Sequence, residues 1–303
     1  MIDAKIAQLK EKVRGGVAPA LATPVLADGM TVNTAVLPDL INLLLDAGVS
    51  GLFVGGTTGE GVLLSDGERM RLHETAVSVA NGRVPVILHT GANQLASTLA
   101  LCRHAEAVGA DAVAVVTPFF YGMHDAGLAD YYHAIAAAIP NLPLMLYDIP
   151  QLAVNGISPG LMARLGKEIP SLLGIKSSRP DAQIVRQLID AAAPHLLFLV
   201  GNESAALGML ALGADGLISG LSTAVPEPFV ALTQAFFSGD MAEAQRQQRQ
   251  INGLLAQLPN GARIGAIKQI LTGRGVPMGT AVPPRPMPSD DVWLKIRPLL
   301  EES

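Results

Sequence analysis

The chain of 303 residues has one cysteine, one tryptophan and few charges, with 16% Asp, Glu, Lys and Arg. A lone Cys102 excludes an intrachain disulfide framework and fits a reducing, cytoplasmic setting. It falls in the apolar register of "ASTLALCRHAEAVGA" and reads as a core thiol. The net charge of −5 supplies no basic field to draw the chain onto nucleic acid or an anionic membrane. No window approaches the roughly 18 uncharged apolar residues of a membrane span. The opening "MIDAKIAQLKEKVRGG" lacks the continuous apolar core of a signal peptide. Half the residues are hydrophobic, so a chain of this length can bury a large core.

What is present is an alternation. Short apolar runs start at Gly16, Gly51, Val84, Asp111, Leu142, Leu172, Leu196 and Asp215, with amphipathic segments between them. Runs this continuously apolar are buried on both faces, as in a parallel sheet covered by helices. Eight of them fit a (β/α)8 TIM barrel better than an open sheet, whose glycine-rich dinucleotide loop is missing because "GGTTGEG" lacks the G-x-G-x-x-G spacing. Strand signals stop near Pro226, and helical patterns follow. The expected organisation is a barrel with a short N-terminal helix over residues 1–235 and a helical C-terminal extension over 236–303. Within the extension, "PPRPMP" reads as a rigid connector before a last helix holding Trp293.

Chemistry in such a barrel sits at the C-terminal ends of the strands. The second run ends in Gly55-Gly56-Thr57-Thr58-Gly59-Glu60, the third in His89, and the fifth in Tyr147-Asp148. The sixth ends in Lys176-Ser177-Ser178, the seventh in Asn202-Glu203 and the eighth in Ser219-Gly220. A lysine at the end of a buried strand is costly unless something uses it. In an apolar cavity an amine loses the hydration that its charged form depends on, so the nucleophilic free base comes within reach. Such an amine captures a ketone as a Schiff base. Tyr147 is placed to shuttle protons, and the hydroxyls and amides of Gly56, Thr57 and Thr58 form a nest for a carboxylate. Amine, phenol and anion nest together suit a 2-oxo acid.

"GGTTGEG", "YDIP" and "GIKSS", with Tyr147 and Lys176 about 30 residues apart, resemble the dihydrodipicolinate synthase / N-acetylneuraminate lyase superfamily of pyruvate-dependent class I aldolases. The resemblance runs from about Gly16 to at least Gly220. It implies Lys176 as the Schiff-base lysine, Tyr147 as proton shuttle, and Thr57 and Thr58 as carboxylate holders and proton relay. It also implies a homotetramer, with neither metal nor organic cofactor. Ser178 and Glu203 match positions that sugar-acid members turn toward substrate hydroxyls, and Ser219 joins them as a substrate-binding candidate at a strand end. Glu203 has the alternative of capping the next helix.

Two departures bear on the substrate. Leu152 stands where dihydrodipicolinate synthases carry an arginine for the second substrate's carboxylate, and Phe120 stands where many members carry a relay tyrosine, with Tyr121 beside it. The expected function is therefore a class I lyase cleaving or forming a C–C bond of a 2-keto-3-deoxy sugar acid, giving pyruvate and an aldehyde. The alternatives are an imine-dependent dehydratase, a dihydrodipicolinate synthase and a non-catalytic small-molecule-binding barrel. Glu60 is expected to anchor the glycine turn, Asp148 to be structural, and His89 to line the third strand's end or sit satisfied in the core. Lys268, apolar-flanked but without a tyrosine at strand spacing, ranks below Lys176 as a nucleophile.

Overall fold

A computed structural model describes residues 2–192 and 194–301. Its eight strands are β1 (Val17–Pro19), β2 (Leu52–Val54), β3 (Val86–His89), β4 (Ala112–Val116), β5 (Leu144–Asp148), β6 (Leu172–Ser177), β7 (Leu197–Val200) and β8 (Gly216–Ser219). Neighbours in the order β1-β8-β7-β6-β5-β4-β3-β2 all pair in parallel, and a parallel bridge from Ala20 to Phe53 joins the two ends. The result is the (β/α)8 TIM barrel that the apolar runs imply.

Every strand residue is buried, so each strand has to supply two apolar faces at once. One face fills the barrel, where small Ala18, Ala112 and Ala114 leave room for Phe53, Met145 and Tyr147. The other face packs under the helices with Val54, Leu88, Val115 and Leu146. The N-terminal helix Ile2–Val13 adds Ile6, Leu9 and Val13 to the inner cluster. Val13 lies beside Gly51 and Gly216, at the starts of β2 and β8, so this helix plugs the N-terminal end. The open mouth is at the opposite end, where the strands finish.

Local signals explain several helix starts. Ser65, Ser158 and Asp240 each accept a hydrogen bond from the amide three residues on. Cys102 is buried with its Sγ 3.1 Å from the Thr90 hydroxyl, and burial pushes its thiol up to about 11. No helix among the described residues is long and apolar enough to cross a membrane.

The closing barrel helix, Glu227–Ser238, crosses the expected boundary at residue 235, and helices Met241–Leu255, Arg263–Gly273 and Val292–Glu301 follow it. The last two meet closely: a Cβ on Gly273 would overlap the Trp293 indole. The extension is fastened to the barrel by a dry ion pair. Lys268 and Glu60 are both fully buried side chains, 2.7 Å apart. Lys268 also donates to the Thr280 carbonyl (2.7 Å), and the Val282 amide donates to Glu60 (2.9 Å). This corrects the expected role of Glu60: its carboxylate ties the extension down, and only its backbone serves the glycine turn, the amide donating to Thr57.

Removing one partner of such a pair strands the other without water. Lys268→Met is expected to lower unfolding stability by about 3–5 kcal/mol, and Glu60→Leu with Lys268→Met by clearly less. Urea unfolding of the two variants at unchanged m-value checks the order; equal losses would show that the pair is not coupled.

Candidate active site

Tyr147 and Lys176 are register partners on adjacent strands β5 and β6. Lys176 is 4% exposed, with its Nζ 4.2 Å from the Tyr147 ring centroid and 4.5 Å from that of Phe53. Among the described residues no carboxylate pairs with this amine and no acceptor takes its hydrogens. Two ring faces are its closest electrostatic partners. The Tyr147 hydroxyl lies 2.9 Å from that of Thr57.

Thr57 and Thr58 sit on the tight turn after β2. A Cβ on Gly59 would lie 2.8 Å from the Leu21 carbonyl oxygen and 3.1 Å from the Gly55 amide nitrogen, so the turn closes only with glycine there. Among the described residues the Thr57 and Thr58 amides have no acceptor, which leaves two N–H groups free beside the Tyr147–Lys176 pair. Gly56 contributes shape: it packs on the Phe53 ring and its carbonyl accepts from Gly61.

A polar cavity of about 490 Å³ opens over Lys176 and reaches Ser178, Asn202, Glu203 and Arg263. Ser178 lines it, whereas Ser219 is 1% exposed beneath it, donating to Glu203 (2.7 Å) and accepting from the Ser222 amide (3.0 Å). Glu203 does not cap a helix. Helix Ala206–Ala211 starts without a side-chain cap, and the carboxylate instead accepts from Ser219 and the Leu221 amide (2.6 Å) and pairs with Arg263. Arg263 escaped sequence reasoning because it comes from the C-terminal extension. Its one signal was an arginine at a helix start after Asn260-Gly261.

A second, apolar cavity of about 260 Å³ lies on the other side of Tyr147, sharing Thr57 and Ile149 with the first. Val62, Leu63, Val116, Phe119 and Leu152 line it, together with Glu60 and Arg285. Phe120 and Tyr121 are 75% and 72% exposed, stacked edge to face, and neither lines either cavity. Within one chain Tyr121 does not stand in for a relay tyrosine at Phe120.

Asp148 points outward from β5 into a full set of partners. It is bidentate with Arg179 (2.7 and 3.1 Å) and accepts from Ser177 (2.8 Å) and the Ile157 amide (2.9 Å). His89 is a core histidine that also borders the apolar cavity, edge-on to Tyr147 at 5.6 Å. Its Nδ1 lies 3.0 Å from the Gly55 carbonyl, an acceptor, and 3.4 Å from the Arg69 guanidinium, a donor. Arg69, also buried, donates to the His89 carbonyl (2.8 Å) and the Gly91 carbonyl (3.1 Å). Burial foremost, and then Arg69, hold His73 and His89 well below the ordinary imidazole range.

Comparison with known proteins adds the following. The model of the dihydrodipicolinate synthetase family matches residues 13–302. A 4-hydroxy-tetrahydrodipicolinate synthase of Salinibacter ruber is 35% identical over 236 residues, 78% of either chain. The structure is similar to a catalytic lysine mutant of Ruminococcus gnavus sialic acid aldolase, with TM-score 0.88, 28% identity, and 96% and 94% of the two chains covered. It is equally similar to YagE, a prophage protein of the dihydrodipicolinic acid synthase family from E. coli K12 in complex with pyruvate, with TM-score 0.88, 29% identity, and 95% and 97% covered.

The buried histidines set a pH dependence. In the fold both stay neutral, while in the unfolded chain each takes up a proton below about pH 6.5. Stability is therefore complete above that value and falls as the pH drops through it, by up to about 1.4 kcal/mol per pH unit for each histidine. His73→Leu is expected to remove about half of the slope between pH 6.5 and 5 in urea midpoints. An unchanged slope would assign the loss to other groups.

Proposed function

Because the chain belongs to the dihydrodipicolinate synthetase family and is a lyase of that superfamily, we propose that it captures a 2-oxo acid on Lys176 and cleaves a 2-keto-3-deoxy sugar acid to pyruvate and an aldehyde. The observation that carries this reading is the pairing of an unneutralised amine with a phenol across β5 and β6, beside two free amides. The substrate carboxylate takes the Thr57 and Thr58 N–H groups, which sets C2 over Nζ. The amine attacks C2, and the carbinolamine loses water to give an iminium. Tyr147, bonded to Thr57, gives the departing carbinolamine hydroxyl its proton, and the phenolate so formed then accepts the proton of the C4 hydroxyl. The C3–C4 bond then breaks, its electron pair moves toward the iminium, and C4 leaves as an aldehyde. Protonation of the enamine at C3 and hydrolysis of the imine return pyruvate and free Lys176. No metal or organic cofactor enters any step.

The polar cavity supports the sugar-acid choice, since Ser178, Asn202 and Glu203 offer donors and acceptors along the path away from C4. Leu152 itself gives a semialdehyde's carboxylate no ion-pair partner, which weighs against the reaction of relatives named 4-hydroxy-tetrahydrodipicolinate synthase, although Arg285 also borders the apolar cavity. A dehydratase using the same imine is the second reading, favoured by the absence of a hydroxyl from Phe120 or Tyr121 at the site. The exposed apolar Phe120, Tyr121, Leu152 and Val154 support assembly into a homotetramer, which sedimentation velocity reads directly.

Pyruvate with borohydride is expected to leave a reduced adduct that maps to Lys176 and is absent from Lys176→Met. An unmodified chain would favour a binding barrel without turnover. Tyr147→Phe is expected to retain carboxylate binding while kcat falls about 10²- to 10⁴-fold. With 2-keto-3-deoxygluconate the expected product is pyruvate, and a dehydrated oxo acid in its place would move the assignment to the dehydratase.

A further inference from the structure

Strand β6 has one residue more than its neighbours require. Leu144 pairs with Leu172 but Met145 pairs with Gly174, so Leu173 is an extra residue between them. Leu172 belongs to the outer core and Leu173 to the inner one. Regular alternation counted from Leu172 would send Gly174 out, Ile175 in and Lys176 out, into the helix layer. The observed parity is the reverse. Gly174 lies opposite inward Met145 and Leu197, Ile175 opposite outward Leu146 and Phe198, and Lys176 opposite inward Tyr147 and Leu199.

A bulge of this kind re-aims every side chain beyond it. Only glycine fits at its corner. Gly174 has φ +156°, and a Cβ there would overlap the Leu197 carbonyl oxygen and lie 2.7 Å from the Leu197 nitrogen. Both clashing atoms are backbone, so no rotamer change relieves them. We propose that the Leu173–Gly174 bulge is what turns Lys176 out of the helix layer and into the barrel, with Gly174 as a positioning residue for the reactive amine. The consequence for catalysis rests on the imine reading above; the orientation itself does not.

Orientation is read by thiol labelling, which involves no imine chemistry. Lys176→Cys and Ile175→Cys are made separately in the parent chain and in Gly174→Ala, and the folded proteins are treated with a small neutral thiol reagent; native Cys102 is buried and serves as the protected control. In the parent, Lys176→Cys is expected to label from the cavity and Ile175→Cys to be protected. In Gly174→Ala the pattern is expected to reverse. Labelling of Lys176→Cys at the parent rate in Gly174→Ala, or protection of both positions, overturns the proposal. Should Gly174→Ala fail to fold, the same variant with Leu173 deleted decides. Without the extra residue the strand runs regularly and alanine is tolerated, so a folded chain with Lys176→Cys labelled supports the proposal and a chain that still fails to fold overturns it. The borohydride adduct of the parent chain is a separate result, so failure of the imine reading and failure of the bulge are told apart.

Discussion

A buried amine with no counter-ion is the constraint on which the mouth of this barrel depends. Among the described residues two lysines are buried, and their surroundings differ. Lys268 lies against Glu60 in a dry ion pair, and burial, only partly offset by that carboxylate, draws its ammonium below the ordinary lysine range. Lys176 has the faces of Phe53 and Tyr147 instead. Ring faces favour a cation by about 0.5–2 kcal/mol, far less than a buried carboxylate offers. A carboxylate within reach of Nζ would convert the proposed nucleophile into a second structural cation. Placing Asp148 one residue beyond Tyr147, on the outward face and saturated by Arg179, keeps that charge away from the amine.

The C-terminal extension is part of this arrangement. A single helix, Arg263–Gly273, sends Lys268 to the glycine turn and Arg263 to the far wall of the polar cavity. Glu60 follows Thr58 by two residues, so the anchor holds the segment whose free amides are proposed to take the carboxylate. Glu203 is held from two sides, by Ser219 on β8 and by Arg263 on the extension. The two ends of the proposed substrate site are thus tethered to one rigid element. Since positional errors of about 1 Å can cost 10²-fold in rate, a helix outside the barrel has reason to be bonded this firmly to its mouth.

How much of this was legible in the sequence follows from what strand ends do and do not encode. Continuous apolar runs marked all eight strands, and their polar terminations marked the mouth, which is why Lys176, Tyr147, Thr57 and Thr58 meet as expected. A termination does not say which way a side chain points. Ser219 closes β8, but Ile218 already occupies the inward position, so the serine falls on the outer face beneath Glu203. Glu60 was legible as structural but its partner was not, because Lys268 and Val282 reach it from the far end of the chain and no local pattern carries that contact. Gly174 went unread, although a glycine inside a strand is a local sign of a bulge. The parity that it sets depends on the register of two neighbouring strands, and a single chain segment does not contain that register.

The last step concerns the two sides of Tyr147. One phenol borders both cavities, with the polar one holding Ser178, Asn202 and Glu203 and the apolar one holding Leu63, Phe119 and Leu152. A substrate fixed at its carboxylate and at C2 has two directions in which its distal half can extend, and the walls decide between them. Hydroxyl groups turned toward Leu152 would give up water for nothing, a loss of about 1–3 kcal/mol for each unpaired group, whereas those turned toward Glu203 exchange water for protein partners. On the proposed sugar-acid reading, the division of the mouth, more than any single contact to the reacting carbons, orients the distal half of the substrate.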